Sequence, residues 1–145
     1  MRVEPTSVEE SLNRVGIAFT GVPLSIREMI EYVLVADRTG FESVWIGEDY
    51  YLRDAISTIA CLAYVTDRIK LATGVISPYT RHPVLIAETI ATIDELSKGR
   101  AILGIGTGVK PLIEQMGIEL KKPLATMRES TEIIRKLLRG GSEYR

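Results

Sequence analysis

The densest run of ionisable side chains is Gly47-Glu48-Asp49-Tyr50-Tyr51, where adjacent carboxylates and two phenols emerge straight from an apolar stretch. Two carboxylates held together raise one another's pKa, so that one can hold a proton while the other accepts one. Glu48 and Asp49 are therefore the candidate catalytic residues. The same pair would equally serve to cap the following helix or to face water, and spacing alone leaves both readings open. A second segment, Thr73-Gly74-Val75-Ile76-Ser77-Pro78-Tyr79-Thr80-Arg81-His82-Pro83, sets a glycine inside an apolar strand. That is the usual mark of a bulge or of close backbone approach to a ligand. Arg81 could neutralise a phosphate or carboxylate, or make a surface ion pair. His82, the one histidine, could be a general base, but beside a helix-opening proline it reads more simply as a cap. A third segment, Gly104-Ile105-Gly106-Thr107-Gly108, is a glycine-rich turn suited to bringing backbone against a flat ring or a phosphate. Val109 stands where a dinucleotide fingerprint or a P-loop needs glycine, and Pro111 where a P-loop needs Ser or Thr, so both are rejected. No clustered Cys/His metal spacing and no nucleophile-elbow serine is present.

These segments each follow a stretch that reads as a strand. Residues 15–20, 43–46, 70–76 and 101–105 are compact apolar runs bounded by turn residues. Between them lie helical patterns. Ser25 and Glu28 have capping-box spacing ahead of Ile26, Met29, Ile30, Val33 and Ala36, and Gly40 supplies a stop. Asp54 precedes a helix bearing Ile56, Ile59, Ala60 and Ala63, and Pro83 opens one bearing Ile86, Ile90, Ile93 and Leu96. Thr126 and Glu129 form a further capping box for Ile133, Ile134, Leu137 and Leu138, with a short extra turn expected over residues 111–116. Four near-continuously apolar strands alternating with four helices predict an α/β fold with a parallel sheet. A complete (β/α)8 barrel takes about 250 residues, so four units amount to half of one, residues 1–145 forming a single half-barrel domain with a polar leader at 1–13. An open doubly wound sheet fits the periodicity equally well.

The chain has 145 residues, 46% of them apolar, with 18 basic against 19 acidic side chains and no basic stripe. Nucleic-acid and anionic-membrane binding therefore have no electrostatic support, and no apolar stretch reaches the roughly 20 residues of a membrane span. A cytoplasmic protein with small-molecule partners is expected. Cys61, among Ile59, Ala60, Leu62 and Ala63, is expected to pack as a small hydrophobe.

Taken together, the segments resemble the luciferase-like monooxygenase superfamily, and most of all its coenzyme F420-dependent methylenetetrahydromethanopterin reductases. The likeness rests on Gly40-Phe41-Glu42-Ser43-Val44-Trp45-Ile46, on Thr73-Gly74-Val75 with Pro78-Tyr79 and Arg81-His82-Pro83, and on Ala91-Thr92-Ile93-Asp94-Glu95-Leu96-Ser97 followed by Gly99-Arg100-Ala101 and Gly104-Ile105-Gly106. Lys122-Pro123 and Arg128 continue it. The resemblance implies a (β/α)8 TIM barrel of which this chain is the N-terminal half, its mouth binding coenzyme F420 (or FMN). It implies hydride transfer between reduced coenzyme F420 and a methylene-tetrahydropterin-like substrate. By the same likeness Gly74 and Val75 form a cis peptide behind the ring, Thr107 and Gly108 contact the cofactor, and Glu48 and Asp49 line the pocket. The family usually has histidine where this chain has Asp49 and an acid where it has Val109, and the reductases have glutamate where Ala18 stands. Two other readings are an FMN-dependent monooxygenase and a non-catalytic or truncated assembly subunit. Val15, Ile17, Val44, Ile46, Leu71, Ile102 and Leu103 load the strands with aliphatics, and whichever parity points inward needs cover. A homodimer or a complementary half-barrel chain is accordingly expected.

Overall fold

A computed structural model describes residues 15–140; the polar leader lies outside them. Four parallel strands, β1 (Gly16–Phe19), β2 (Ser43–Ile46), β3 (Lys70–Thr73) and β4 (Ala101–Ile102), pair in the order β1-β2-β3-β4. Each is followed by a helix: α1 (Ile26–Thr39), α2 (Ala55–Val65), α3 (Pro83–Ser97) and, after β4, the short α4 (Lys110–Gln115) and then α5 (Pro123–Leu138). A doubly wound sheet reverses its strand order at a switch point, whereas a barrel adds each strand beside the last. The unbroken order is that of a barrel.

Local chemistry explains the helix starts. The Ser25 hydroxyl accepts from the Glu28 N–H at 3.2 Å while the Glu28 carboxylate accepts from the Ser25 N–H at 2.8 Å, and Gly40 ends the helix at φ 89°. Asp54 caps α2 through the Ser57 N–H at 2.6 Å, and His82 caps α3, its Nδ1 accepting from the Val84 N–H at 3.3 Å. The capping box expected at Thr126 and Glu129 does not form. Pro123 takes the first turn of α5 one helical turn earlier, where its missing N–H costs nothing. Thr126 instead donates to the Lys121 carbonyl at 3.2 Å.

The ends of the sheet opposite the loops just described are fixed by one clasp. Asp37 on α1 accepts from the N–H groups of Asp67, Arg68 and Ile69 at 3.1, 2.9 and 2.6 Å. Arg100, ahead of β4, donates to the carbonyls of Ala63, Thr66, Ile69 and Ser97 and to the Thr66 hydroxyl. Burial pushes the Asp37 carboxyl up, but the three N–H donors and Arg100 outweigh it and hold it below the usual range.

Register decides which face each side chain takes. Ile17, Val44, Leu71 and Ala101 are cross-strand partners, as are Phe19 and Ile46, and all six pack against Met29, Val33, Ile59, Leu62 and Ile93 of the helices. Of the large aliphatics expected to need cover, Ile17, Val44, Ile46, Leu71 and Leu103 are therefore packed on the helix side, where apolar volume can be buried, while Val15 is exposed and Ile102 takes the other face. The opposite face carries Gly16, Ala18, Ser43, Trp45, Ala72 and Ile102. Ala18, Trp45, Ala72 and Ile102 belong to neither hydrophobic cluster. Two further positions correct the sequence reading. Cys61 is exposed, since α2 buries Ala55, Thr58, Ile59, Leu62 and Ala63 and position 61 falls on the other side. Leu96 is likewise exposed, and Ser97 takes the buried place at the end of α3.

Candidate active site

Strands β3 and β4 stop short of their expected ends, and the early stop builds the site. After Thr73 the Gly74–Val75 peptide is cis, the Gly74 N–H donating to the Ile46 carbonyl at 2.7 Å. Pairing resumes only as a single bridge between Ile76 and Ile105. Thr73 locks the gap: its hydroxyl donates to the Gly104 carbonyl and accepts from the Gly104 N–H, both at 2.8 Å. A Cβ at Gly104 would stand 2.1 Å from the Thr73 carbonyl oxygen, and one at Gly106 would stand 2.8 Å from the Val75 side chain. These two glycines let the β4 loop close onto β3. Val75 is left 38% exposed at the carboxyl ends of the strands, beside a Gly74 that has no side chain to shield its backbone.

The other glycine-loop residues lie deeper. Thr107 and Gly108 are half-buried, and the Thr107 carbonyl accepts from Ser77 at 3.1 Å. Gly108 has φ 78°, and a Cβ there would meet Ile113 at 2.6 Å and the Tyr50 hydroxyl at 3.0 Å. Tyr50 therefore reaches from the loop after β2 to the loop after β4. Tyr51, at φ 67°, spans the same gap, its hydroxyl donating to the Leu112 carbonyl at 3.3 Å. Sequence reasoning singled out the phenols only as part of an acidic run and gave Ser77 no role. A small polar residue three positions beyond a bulged glycine is the signal that was available.

The two carboxylates do different things. Asp49 accepts from the Thr20 hydroxyl and from the Gly21 N–H, both at 2.7 Å, so both its oxygens are engaged in tying the loop after β1 to the loop after β2. Glu48 is held differently: its Oε2 is buried without a hydrogen-bond partner among the described residues. Burial, then the Asp54 and Asp49 carboxylates, hold Glu48 above the ordinary range, against the pull of Arg81 and of the Ala55 N–H at the start of α2. Arg81 itself pairs with Asp54 at 3.4 Å. Glu48 and Asp49 line a cleft of about 350 Å³ with Tyr50, Tyr51, Arg53 and Met116. Gly74, Val75, Thr107 and Gly108 lie outside that cleft, and Tyr50 is the link between the two groups. Among the described residues no group of three or more His, Cys, Asp or Glu could hold a metal ion.

Residues 9–145 match the family model described as "Luciferase-like monooxygenase". This chain belongs to that family. The 5,10-methylenetetrahydromethanopterin reductase of Archaeoglobus fulgidus is 46% identical over 126 residues, covering 86% of this chain and 37% of that protein. The structure of the coenzyme F420-dependent tetrahydromethanopterin reductase from Methanopyrus kandleri superposes with TM-score 0.80 at 33% identity, covering 90% of this chain and 42% of the other. The oxygenating constituent of 3,6-diketocamphane monooxygenase from Pseudomonas putida, solved with FMN, gives TM-score 0.74 at 28% identity over 84% of this chain and 38% of the other. The chain thus spans little more than a third of the length of the curated relatives it matches. The half-barrel architecture agrees with these barrel relatives, of which the chain covers a part.

Proposed function

We propose that this chain carries the ring-binding half of a deazaflavin oxidoreductase site, serving hydride transfer between reduced coenzyme F420 and a methylene-tetrahydropterin-like acceptor. The observation that carries the reading is the bare backbone at Gly74–Val75, exposed where ligands bind in parallel α/β folds. A flat tricyclic ring would rest there: position 74 offers no side chain, and Val75 offers an apolar face set against Gly104 and Gly106. Gly74, Val75, Thr107 and Gly108 would hold the ring, whose bound form supplies the hydride. Glu48 is the group fitted to hold a proton at its buried Oε2, because burial and two neighbouring acids favour its neutral form. Asp49 positions rather than reacts, since both its oxygens are spent on Thr20 and Gly21.

The activities of the reductase relatives support coenzyme F420 and a pterin acceptor. The FMN-bound neighbour supports a second reading, an FMN-dependent monooxygenase using the same shelf. Anaerobic turnover of reduced coenzyme F420 with the methylene-pterin, lost in Glu48→Gln, is the result expected of the first reading. Oxygen-dependent turnover with FMN alone would replace it with the second.

The outer edges of β1 and β4 have no partner strand among the described residues. A second copy of this chain, or a complementary half-barrel, would supply the strands that close the mouth. No helix among the described residues is long and apolar enough to cross a membrane.

A further inference from the structure

On the face of the sheet away from the helices, Trp45 is the one aromatic residue, among Gly16, Ala18, Ser43 and Ala72, with Lys70 and Ile102 toward the β3–β4 side. Trp45, the sole tryptophan, shares its row with Ala18 and Ala72, and the row below carries Gly16 and Ser43. Its indole is pinned. Nε1–H donates to the Ser43 hydroxyl at 3.0 Å, and Ser43 is itself only 5% exposed. Gly16 leaves the room for this: a Cβ there would stand 2.6 Å from the Ser43 oxygen and 3.2 Å from the indole nitrogen. At the other edge of the side chain, the Cβ position of Gly74 lies 3.4 Å from Trp45 Cβ and 3.6 Å from Cε3. The indole therefore lies against the sheet between Gly16 and Gly74, touching the underside of the shelf proposed above.

We infer that Trp45 is the floor of the ring pocket, a positioning residue that sets how deeply a flat heteroaromatic ring can enter from the carboxyl ends of the strands. The inference rests on the deazaflavin reading. A hydroxyl fixes the polar tip and two glycines clear both edges, so the aromatic face is presented in one orientation. A ring resting on Gly74 and Val75 meets the indole at Cε3 and goes no further.

The test is nuclear magnetic resonance on the full chain, with coenzyme F420 and separately FMN as probes, binding being established independently from the ligand's own absorbance. An intermolecular cross-relaxation signal between the Trp45 Cε3 proton and the ring protons of the ligand is expected. Trp45→Leu should bind roughly three- to tenfold more weakly, about what one lost aromatic contact is worth, and Trp45→Phe should retain most of the affinity. A chain that binds ligand with no such signal overturns the inference and leaves the deazaflavin reading standing, and so does Trp45→Leu binding as tightly as the parent. Should Trp45→Leu fail to fold, the signal in the parent chain decides. Failure of both ligands to bind overturns the reading and the inference together.

Discussion

At the scale of single residues, two adjacent carboxylates were legible as the chemically interesting pair, but their division of labour was not. The division depends on Thr20 and Gly21, nearly thirty positions away, which arrive at Asp49 only when β1 and β2 pair. Gly47 permits the approach, since a Cβ there would stand 2.7 Å from the Thr20 hydroxyl. Removing Asp49 should accordingly loosen a loop. Asp49→Ala is expected to cost roughly 1 kcal/mol in denaturant unfolding and to speed hydrogen exchange at the Gly21 amide, with Asp49→Asn intermediate. Glu48 behaves oppositely. Its pKa is raised in the folded chain, so folding takes up a proton, and its contribution to stability is full below the ordinary glutamate pKa and lost as pH rises through the folded value. Stability measured across that window should fall with rising pH in the parent chain and fall less in Glu48→Gln. Equal slopes would show that Glu48 is not held neutral. Gly104 offers a test of the shelf itself. Gly104→Ala drives a methyl against the Thr73 carbonyl and should destabilise by roughly 3 kcal/mol, the upper end of overpacking costs, measured as a shift in the unfolding midpoint.

At the scale of elements, the 3.6-residue stripes and caps located α1, α2 and α3 well, because Ser25, Asp54 and Pro83 act locally and the buried face follows from spacing. The strands were read three residues too long at both β3 and β4, since apolar runs report burial, whereas the Thr73–Gly104 lock that ends regular pairing is a contact between distant segments. The start of α5 was missed for a related reason: Thr126 has the right spacing to Glu129, but Pro123 begins the helix first. The clasp joining Asp37, the turn before β3 and Arg100 left no trace in periodicity. Its donors are spread over several carbonyls in the planar fork that only guanidinium provides. Arg100→Lys should therefore destabilise by about 2–3 kcal/mol by chemical denaturation, far more than an exposed Arg→Lys exchange. Asp37, with its lowered pKa, adds stability that is present above the ordinary aspartate pKa and lost as pH falls through the folded value.

At the scale of the molecule, a four-stranded parallel sheet in barrel order was legible from the alternation of elements, and consecutive pairing settles it against a doubly wound sheet. What alternation could not assign was the direction each strand faces. Val44, Ile46 and Leu71 go to the helices, leaving an inner face on which Trp45 stands between Ala18 and Ala72, with Ile102 beyond. The proposed sharing of a barrel between two chains predicts that sedimentation at micromolar concentration finds the chain associated; a well-ordered monomer would count against it. At the mouth, Glu48, the Gly74–Val75 segment and the Thr107–Gly108 turn follow three different strands, Tyr50 reaching from the first to Gly108, and the proposed cofactor site spans all three. The most direct measurement is an amide chemical-shift titration of the chain with coenzyme F420. Shifts concentrated at Glu48, Gly74, Val75, Thr107 and Gly108 are the expected result. A titration in which neither coenzyme F420 nor FMN moves those amides, or in which the changes gather instead around Asp37 and Arg100 at the opposite end, would contradict the deazaflavin site.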